Sequence, residues 1–166
     1  MDDLLERCQK YGRSAGRTGE GQRQAAVAAA KASHTLGWSS VALSAVVGTA
    51  LVSDMAAQYP VYIGLLSIGA AVLGALQQKS KLSERAEQYR KAAAQYGAIR
   101  RKADMLCLKI RGGDISRAEG LRKLDEIGSQ LSKLAERAMA LDDRIYDRSK
   151  AKFDREHVEY IQPIVS

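Results

Sequence analysis

Two long adjacent stretches of the chain lack charged residues, whereas charged residues crowd the remainder. Residues 32–53 contain no Asp, Glu, Lys or Arg, and residues 55–78 contain none either. Each stretch has about 20 residues or more, the length that an α-helix needs to cross the hydrocarbon core of a bilayer. The segment between them is long enough only for a turn, and Pro60 favours the start of a helix because its φ angle is fixed. The pattern predicts a hairpin of two transmembrane helices.

A second interpretation is a soluble helical bundle whose buried helices are simply apolar. The Ser and Thr side chains of the first stretch give this interpretation some support. A soluble helix, however, usually has a charged face. Neither stretch has one, so the membrane hairpin is the favoured interpretation.

Lys and Arg flank both apolar stretches. Six of them occur in residues 1–32 and five in residues 79–91, whereas the predicted turn at residues 54–60 has none. Lys and Arg accumulate in the cytoplasmic loops of inner-membrane proteins, and Tyr and Trp at the membrane interfaces. Both termini are therefore predicted in the cytoplasm, and Tyr59 and Tyr62 lie where an interfacial aromatic belt is expected.

Small residues recur at helical spacing along one side of each predicted span. They are Ser33, Gly37, Ser40, Ser44 and Gly48 in the first span, and Gly64, Ser67, Ala71 and Gly74 in the second. Small faces allow two helix backbones to approach closely, with hydroxyl groups bonding across the contact. In the other interpretation the stripe lines a water-filled pore in an oligomer, where hydroxyl groups solvate ions. The sequence leaves both interpretations open.

The apolar periodicity changes to a heptad seam directly after the second span. The seam at residues 82–96 resumes one register over at residues 99–110, which is typical of a coiled-coil discontinuity. Residues 112–114 (Gly-Gly-Asp) then predict a turn. Ser116 and Glu119 have the spacing of a capping box, which predicts the start of a second cytoplasmic helix.

The second cytoplasmic helix has the stronger apolar face. That face includes Leu121, Leu124, Leu131, Leu134 and Leu141, and continues to Ile145. The two helices are predicted to form an antiparallel hairpin over residues 79–150. Because such a hairpin buries only one stripe, further burial must come from the N-terminal helix or from other subunits. The leucine face is therefore predicted to be an oligomerisation seam.

The two ends of the chain are predicted to be less regular. Residues 1–32 are predicted to form an amphipathic cytoplasmic segment, with a short helix over residues 2–11, a flexible break at the four glycines of residues 12–21, and an Ala-rich run that continues into the first span. Residues 151–166 are predicted to be a frayed helix and an extended tail. The fold class is thus an all-α membrane protein, with transmembrane helices at 33–53 and 61–78, an external turn at 54–60 and a cytoplasmic helical hairpin at 79–150.

The net charge of the chain limits the classes of molecule that it can bind. The chain has 26 Lys and Arg against 19 Asp and Glu, a net charge of +7. Such a balance suits nucleic acid, anionic lipid or an acidic protein. The basic residues lie beside the apolar stretches, which favours a membrane surface, so the lipid bilayer is an expected partner and nucleic acid is not.

No catalytic signature is present. The chain has no phosphate-binding loop, no dinucleotide fingerprint and no His–Glu metal motif. Cys8 and Cys107 lack metal-type spacing and are interpreted as reduced cytoplasmic thiols. The basic residues 100–102 have two interpretations, a site for a nucleotide or lipid phosphate or a solvated helix face. No enzyme activity, catalytic residue, cofactor or metal is predicted.

A run in the first cytoplasmic helix carries a family resemblance. Residues 86–102 contain, in order, an Ala pair, a Tyr, an apolar residue and two basic residues: Ala92, Ala93, Tyr96, Ile99, Arg100 and Arg101. This run follows a basic N-terminal segment and two predicted spans. It resembles the hallmark helix of the SLATT family, two-transmembrane effectors associated with SMODS nucleotidyltransferases and SLOG sensor domains.

The resemblance implies a bacterial conflict effector, which opens pores in the inner membrane when a partnered sensor detects infection. It also implies an activating partner, either a sensor protein or a nucleotide second messenger. The first function class is therefore a homo-oligomeric pore-forming effector of anti-phage defence. The alternative is a non-enzymatic membrane scaffold or adaptor whose helical stalk docks a cytoplasmic protein, and the residues alone fit both classes equally.

Overall fold

The computed structural model describes residues 1–52 and 59–156. Its helices are α1 (Asp2–Val52), α2 (Pro60–Ser80), α3 (Leu82–Gly112), α4 (Arg117–Arg137) and α5 (Asp143–Glu156). All regular structure in these residues is helical, which confirms the all-α class. None of the helices in this part of the chain is both long enough and apolar enough to cross a membrane. Most of the predicted external turn and of the predicted tail lies outside the described residues.

The chain divides into two compact units. The first unit contains Met1–Ala26 and Glu87–Ser166, and the second contains Val27–Ala86. Helix α1 therefore supplies its first half to the first unit and its second half to the second. The second unit is the hairpin of α1 and α2, and the first unit is a bundle of α1, α3, α4 and α5.

Helix α1 runs without interruption from Asp2 to Val52, so the predicted flexible break at its glycines is wrong. The glycines lie where other helices come closest to α1. A Cβ atom at Gly16 would overlap the ring of Phe153, and one at Gly19 would lie 3.1 Å from the Cβ of Tyr96. A glycine costs a helix roughly 1 kcal/mol relative to Ala. Here the close packing that the missing side chains allow offsets that cost.

The core of the first unit lies between α1, α3 and α4. Its buried members are Leu4, Cys8 and Ala15 of α1, Tyr96, Ile99, Ala103, Leu106 and Ile110 of α3, Leu124, Ile127 and Leu134 of α4, and Ile115 just before α4. The N-terminal helix thus supplies burial that the two-helix hairpin lacks. Each fully buried Leu or Ile contributes about 1.5–3 kcal/mol relative to an exposed one.

The turn between α3 and α4 has the geometry that its sequence predicts. Gly113 has a φ of +73°, a left-handed conformation that glycine adopts without steric cost. The amide of Gly113 donates to the carbonyl of Ile110 (3.3 Å) and the amide of Asp114 to that of Lys109 (3.1 Å), which is a Schellman motif. The hydroxyl of Ser116 then accepts a hydrogen bond from the Glu119 amide (3.3 Å), so the predicted N-cap is confirmed.

The second cytoplasmic helix ends earlier than its apolar face predicts. Helix α4 ends at Arg137, and the following Ala138 is extended (φ −70°, ψ 144°). The side-chain amide of Gln22 in α1 donates to the carbonyl of Met139 (3.1 Å). In a continuous helix this carbonyl would accept a backbone hydrogen bond from the helix itself. The carboxylate of Asp142 accepts from the amide of Arg144 (2.9 Å) and starts α5. The break is therefore supported by a contact with α1 that the local sequence does not contain.

We expect Gly16→Ala to lower the free energy of unfolding of the full chain by about 1–3 kcal/mol, because its methyl group overlaps the buried Phe153 ring. Gly12→Ala is the matched control, since a Cβ at Gly12 would lie 3.5 Å from the Cβ of Ala103, an ordinary contact. The control should be neutral or stabilise by up to about 1 kcal/mol. Urea unfolding in detergent, followed by circular dichroism, measures both. Equal effects of the two substitutions would contradict the close-packing role of Gly16.

Candidate functional site

The contact between α1 and α2 in the second unit combines small and branched side chains. The half-buried residues of α1 along this stretch are Ser33, Leu36, Gly37, Ser40, Leu43 and Val47. A Cβ atom at Gly74 of α2 would lie 4.0 Å from the Ser40 Oγ, and one at Gly69 would lie 3.6 Å from the Leu43 Cδ2. Both glycines of α2 therefore face α1, as in a small-residue helix contact.

The structure divides the predicted small-residue stripe into two parts. Half-buried members, which we call the packing part, are Ser33, Gly37, Ser40, Ser67 and Gly74. Exposed members, which we call the open part, are Ser44, Gly48, Gly64 and Ala71. A Cβ atom at Gly48 or at Gly64 would meet nothing within 4 Å. Only the open part is available, in a single chain, for a pore lining or for contact with another subunit.

Large apolar side chains cover the outer surface of the second unit. Trp38 is 70% exposed, Val61 71% and Ile68 63%. The same surface carries Val41, Val46, Tyr59, Tyr62, Leu65, Val72 and Leu76. Extended exposed apolar surface is uncommon in soluble monomers and is usual where lipid or another protein covers it.

The hallmark residues of α3 have mainly structural positions. Ala92, Tyr96 and Ile99 are buried and Ala93 is half-buried, so the apolar part of the motif faces the first unit's core. Burial also raises the pKa of the Tyr96 hydroxyl. The hallmark pattern in this chain is thus mostly the face with which α3 meets α1.

The two hallmark arginines, Arg100 and Arg101, have different surroundings. The guanidinium carbon of Arg100 lies 4.9 Å from the ring centroid of Phe153, a cation–π contact. A Cβ at Gly16 would lie 3.4 Å from the Cδ of Arg100, so the arginine, the aromatic ring and the glycine share one contact. Arg101 is exposed. Arg100 is therefore half-buried against Phe153, whereas Arg101 is open to solvent.

Charged residues join α5 to α1 around that contact. Arg17 donates two hydrogen bonds to the carboxylate of Asp154, at 2.8 and 2.9 Å. The Lys152 ammonium donates to the carboxylate of Glu20 at 3.2 Å. We call these pairs, with Gly16 and Phe153, the α5 clasp. Bidentate geometry makes the arginine pair the stronger of the two, although both partners are about a third exposed (31% and 34%).

Glu20 remains ionised within the clasp. Burial opposes its ionisation, but hydrogen bonds from Arg23, Gln24 and Lys152 outweigh burial and lower its pKa below 4.5. A group with a lowered folded-state pKa stabilises the folded state above its unfolded pKa. This contribution is present above about pH 4.5 and is lost as the pH falls through the folded-state pKa.

A groove with a positively charged rim lies between α3 and α4. Its volume is about 300 Å³. The floor is formed by Ala98, Ile99 and Leu134, and the remaining lining residues are Gln95, Lys102, Gln130, Lys133 and Arg137. The lining thus contains three cations and no carboxylate. The Lys102 ammonium donates to the Gln130 side chain (3.0 Å), which in turn donates to Glu126 (3.0 Å), so the orientation of the Gln130 amide is fixed.

The leucines of the predicted oligomerisation seam occupy several environments. Leu124 and Leu134 are buried in the core of the chain itself, and Leu131 packs partly against it. Leu141 packs against α1, and its Cδ1 lies 2.9 Å from the position that a Cβ atom at Gly21 would occupy. Leu121 is 39% exposed. Of the predicted seam, Leu121 is therefore the residue with the most surface left for another subunit.

Two sets of side chains that are far apart in the sequence come together in the first unit. Cys8 and Cys107 are adjacent in space, and the α5 clasp joins residues more than 130 positions apart. No local signal in the sequence identifies either pair. Within the described residues, no group of three or more His, Cys, Asp or Glu side chains has a metal-binding arrangement. His34 is exposed, and His157 lies outside the described residues.

Comparison with known proteins gives one family. The family model described as "SMODS and SLOG-associating 2TM effector domain family 4" matches residues 8–157. No curated protein and no solved structure is significantly similar to the chain. The match includes the first half of α1, the hairpin of the second unit, and α3, α4 and α5. The chain therefore belongs to the SMODS and SLOG-associating two-transmembrane effector family, SLATT.

Proposed function

We propose that the protein is a pore-forming effector of a bacterial anti-phage defence system, acting as a homo-oligomer in the inner membrane. The observation that carries the proposal is the surface of the second unit, where large apolar side chains point outward along both helices. Such a surface requires a lipid or protein covering. The family description, an effector domain with two transmembrane segments, supports a lipid covering.

Both termini lie in the cytoplasm in this proposal. The predicted turn carries no Lys or Arg, whereas the segments on either side of the hairpin carry many. The positive-inside tendency then places the first unit in the cytoplasm. The open part of the small-residue stripe supports oligomerisation, because its small residues are exposed and a Cβ atom at Gly48 or Gly64 would meet nothing within 4 Å in the described residues.

The activating signal reaches the first unit. The family description associates these effectors with SMODS and SLOG proteins, which supports a sensor protein or a nucleotide second messenger as partner. The groove between α3 and α4 suits the second of these, because its cations would pair with phosphates and its apolar floor would contact a base. Helix α1 packs against α3 and α4 and continues to residue 52, so it can transmit a change in the bundle along one helix.

A membrane scaffold or adaptor is the alternative function. The observation that favours it is the same groove, since a protein segment with acidic residues would also complement three cations. The two functions differ in their effect on membranes. A pore depolarises cells and slows growth when it is activated, whereas a scaffold is tolerated.

The proposed topology can be tested with reporter fusions. A reporter that is active only in the cytoplasm should be active at either terminus, and a reporter that requires export should be active when inserted after Gln58. The reason is the distribution of Lys and Arg around the hairpin. Cytoplasmic activity of the insertion at Gln58 would exclude the transmembrane hairpin.

The two parts of the stripe give a test of the pore. Ser44→Leu should preserve membrane level and oligomer size but abolish dye leakage, because an exposed residue of the open part becomes bulky and apolar in a water-filled passage. Ser40→Leu should reduce level or oligomer size, because Ser40 faces Gly74 across the α1–α2 contact. Val46→Leu, on the exposed apolar surface, is the control and should change neither property.

Other outcomes of this experiment separate the two functions. Loss of leakage in Ser44→Leu only together with loss of assembly would make the open part a subunit contact and not a lining. A wild-type protein that never permeabilises membranes, even when co-expressed with its native neighbouring genes, would replace the effector with the scaffold.

The proposed role of the groove can be tested by neutralising the positive charges of its rim. Replacing Lys102, Lys133 and Arg137 with Gln should abolish activation by the native partner genes while membrane level is kept, because all three are exposed and none is in the core. The matched control replaces the exposed Lys109, Arg122 and Arg148, which do not line the groove, with Gln. Growth arrest on co-expression measures activation, and calorimetry with a cyclic dinucleotide and with pyrophosphate measures binding. Equal loss in the two triple variants would assign the effect to net charge rather than to the groove.

A further inference from the structure

Two thiols from distant parts of the sequence meet in the core of the first unit. Cys8 of α1 is fully buried, and its Sγ donates a hydrogen bond to the carbonyl of Ala103 at 3.1 Å. Cys107 lies one turn further along α3 and is half-buried. Both thiols therefore lie beside the same turn of α3, and Cys107 packs against the core cluster that contains Cys8. They are the chain's two cysteines.

The surroundings make the two thiols chemically different. The neighbouring Cys8 thiol lowers the pKa of Cys107, Arg111 contributes to the same effect, and burial and Asp104 oppose it. The neighbouring Cys107 raises the pKa of Cys8, as do burial and Asp104. Cys8 therefore keeps its proton, which it donates to the Ala103 carbonyl, and the thiolate forms on the half-buried Cys107. Thiolates are the reactive form of cysteine.

We propose that Cys107 is an oxidation site for hydroperoxides, with Cys8 as its resolving thiol, and that the product is a disulfide linking α1 to α3. The proposal stands on the placement of both thiols beside one turn of α3, in one packed cluster, and on their unequal burial. A reactive, accessible cysteine next to a second thiol is the usual arrangement of a reversible redox site. It is independent of the pore, because it concerns only the first unit.

The reaction has two steps. The Cys107 thiolate attacks one oxygen of the hydroperoxide, so that a sulfur–oxygen bond forms, the oxygen–oxygen bond breaks, and the leaving alkoxide or hydroxide takes a proton from water. The Cys8 sulfur then attacks the resulting sulfenic acid, forming the sulfur–sulfur bond and releasing hydroxide, which leaves with the Cys8 proton as water. The two sulfurs together lose two electrons, which the peroxide gains, and a small thiol reverses the change by exchange.

The consequence is a covalent tie at the N-terminal end of α1. Cys8 lies between Leu4 and Ala15 in the buried face of α1, and Cys107 lies beside Leu106 in α3. The disulfide would close a loop that contains the whole second unit, from Val27 to Ala86. It would therefore restrain the start of the helix that enters that unit without altering any residue within it.

The full-length protein in detergent tests this proposal directly. The reduced chain is treated with equimolar hydrogen peroxide, free thiols are blocked with N-ethylmaleimide, and the intact mass is measured. We expect the monomer to lose the mass of two hydrogen atoms and to accept no maleimide. A dimedone adduct should appear only in trace amounts, because Cys8 resolves the sulfenic acid.

Single substitutions assign the roles. Cys8→Ser should accumulate the dimedone-trapped sulfenic acid on Cys107, and Cys107→Ser should leave Cys8 reduced because peroxide cannot reach it. Circular dichroism checks that both variants fold. If either does not, the wild-type mass decides alone, since the chain has two cysteines only. Two maleimide adducts on peroxide-treated wild type, a disulfide-linked dimer, or oxidised Cys107 beside a free Cys8 would each overturn the proposal.

Discussion

The first half of α1 can lie close to its neighbours because glycines replace side chains at the points of contact. Gly16 faces the Phe153 ring, where a Cβ would overlap the ring atoms, and Gly19 faces Tyr96, where a Cβ would lie only 3.1 Å from the Tyr96 Cβ. Without this approach, α3 and α4 would share a single apolar stripe and the remainder of their core residues would be exposed. With it, α1 covers Ile99, Ala103 and Leu106 of α3 as well as residues of α4. The first unit is thus a bundle assembled around α1.

The polar chemistry of the first unit collects along the same helix. Arg17 and Glu20 bind α5, Gln22 binds the break after α4, and Cys8 meets Cys107 of α3. Each interaction is worth little when exposed to solvent, but together they surround a helix that continues to residue 52. The core of the first unit includes Leu4, Cys8 and Ala15 of α1, whereas Ser44 and Gly48 of the open part belong to the second unit.

The division of the small-residue stripe follows from helix periodicity. The predicted stripe takes four steps over 15 residues, from Ser33 to Gly48, whereas the half-buried face takes four steps over 14 residues, from Ser33 to Val47. A contact between two helices follows a repeat close to 3.5 residues, and a helix turns by about 20° per heptad relative to it. Ser44 and Gly48 therefore rotate out of the contact, and Leu43 and Val47 replace them. The spacing of small residues thus coincides with the helix contact from Ser33 to Ser40 and departs from it at Ser44 and Gly48.

The sequence by itself determined the features that depend on neighbouring residues. The all-α class follows from composition and periodicity, and the turn after α3 follows from a glycine at a left-handed position and from the Ser116 cap. The hallmark pattern of α3 was also sufficient to identify the family that the family model then matched. Local backbone and capping energies decide such features, so a short window of sequence contains them.

Only the tertiary structure decided the features that depend on which distant residue a side chain contacts. A glycine weakens an isolated helix, and the same glycine strengthens a bundle when another helix packs against it; the break predicted at residues 12–21 and the continuous α1 differ for this reason. The early end of α4 depends on Gln22, 117 residues away from Met139. The meeting of Cys8 with Cys107 and the packing of Arg100 on Phe153 likewise depend on how α1, α3 and α5 assemble. The hydrophobic period and the residue spacing do not specify which faces of separate helices pack together. That packing depends on the total apolar surface that the bundle buries.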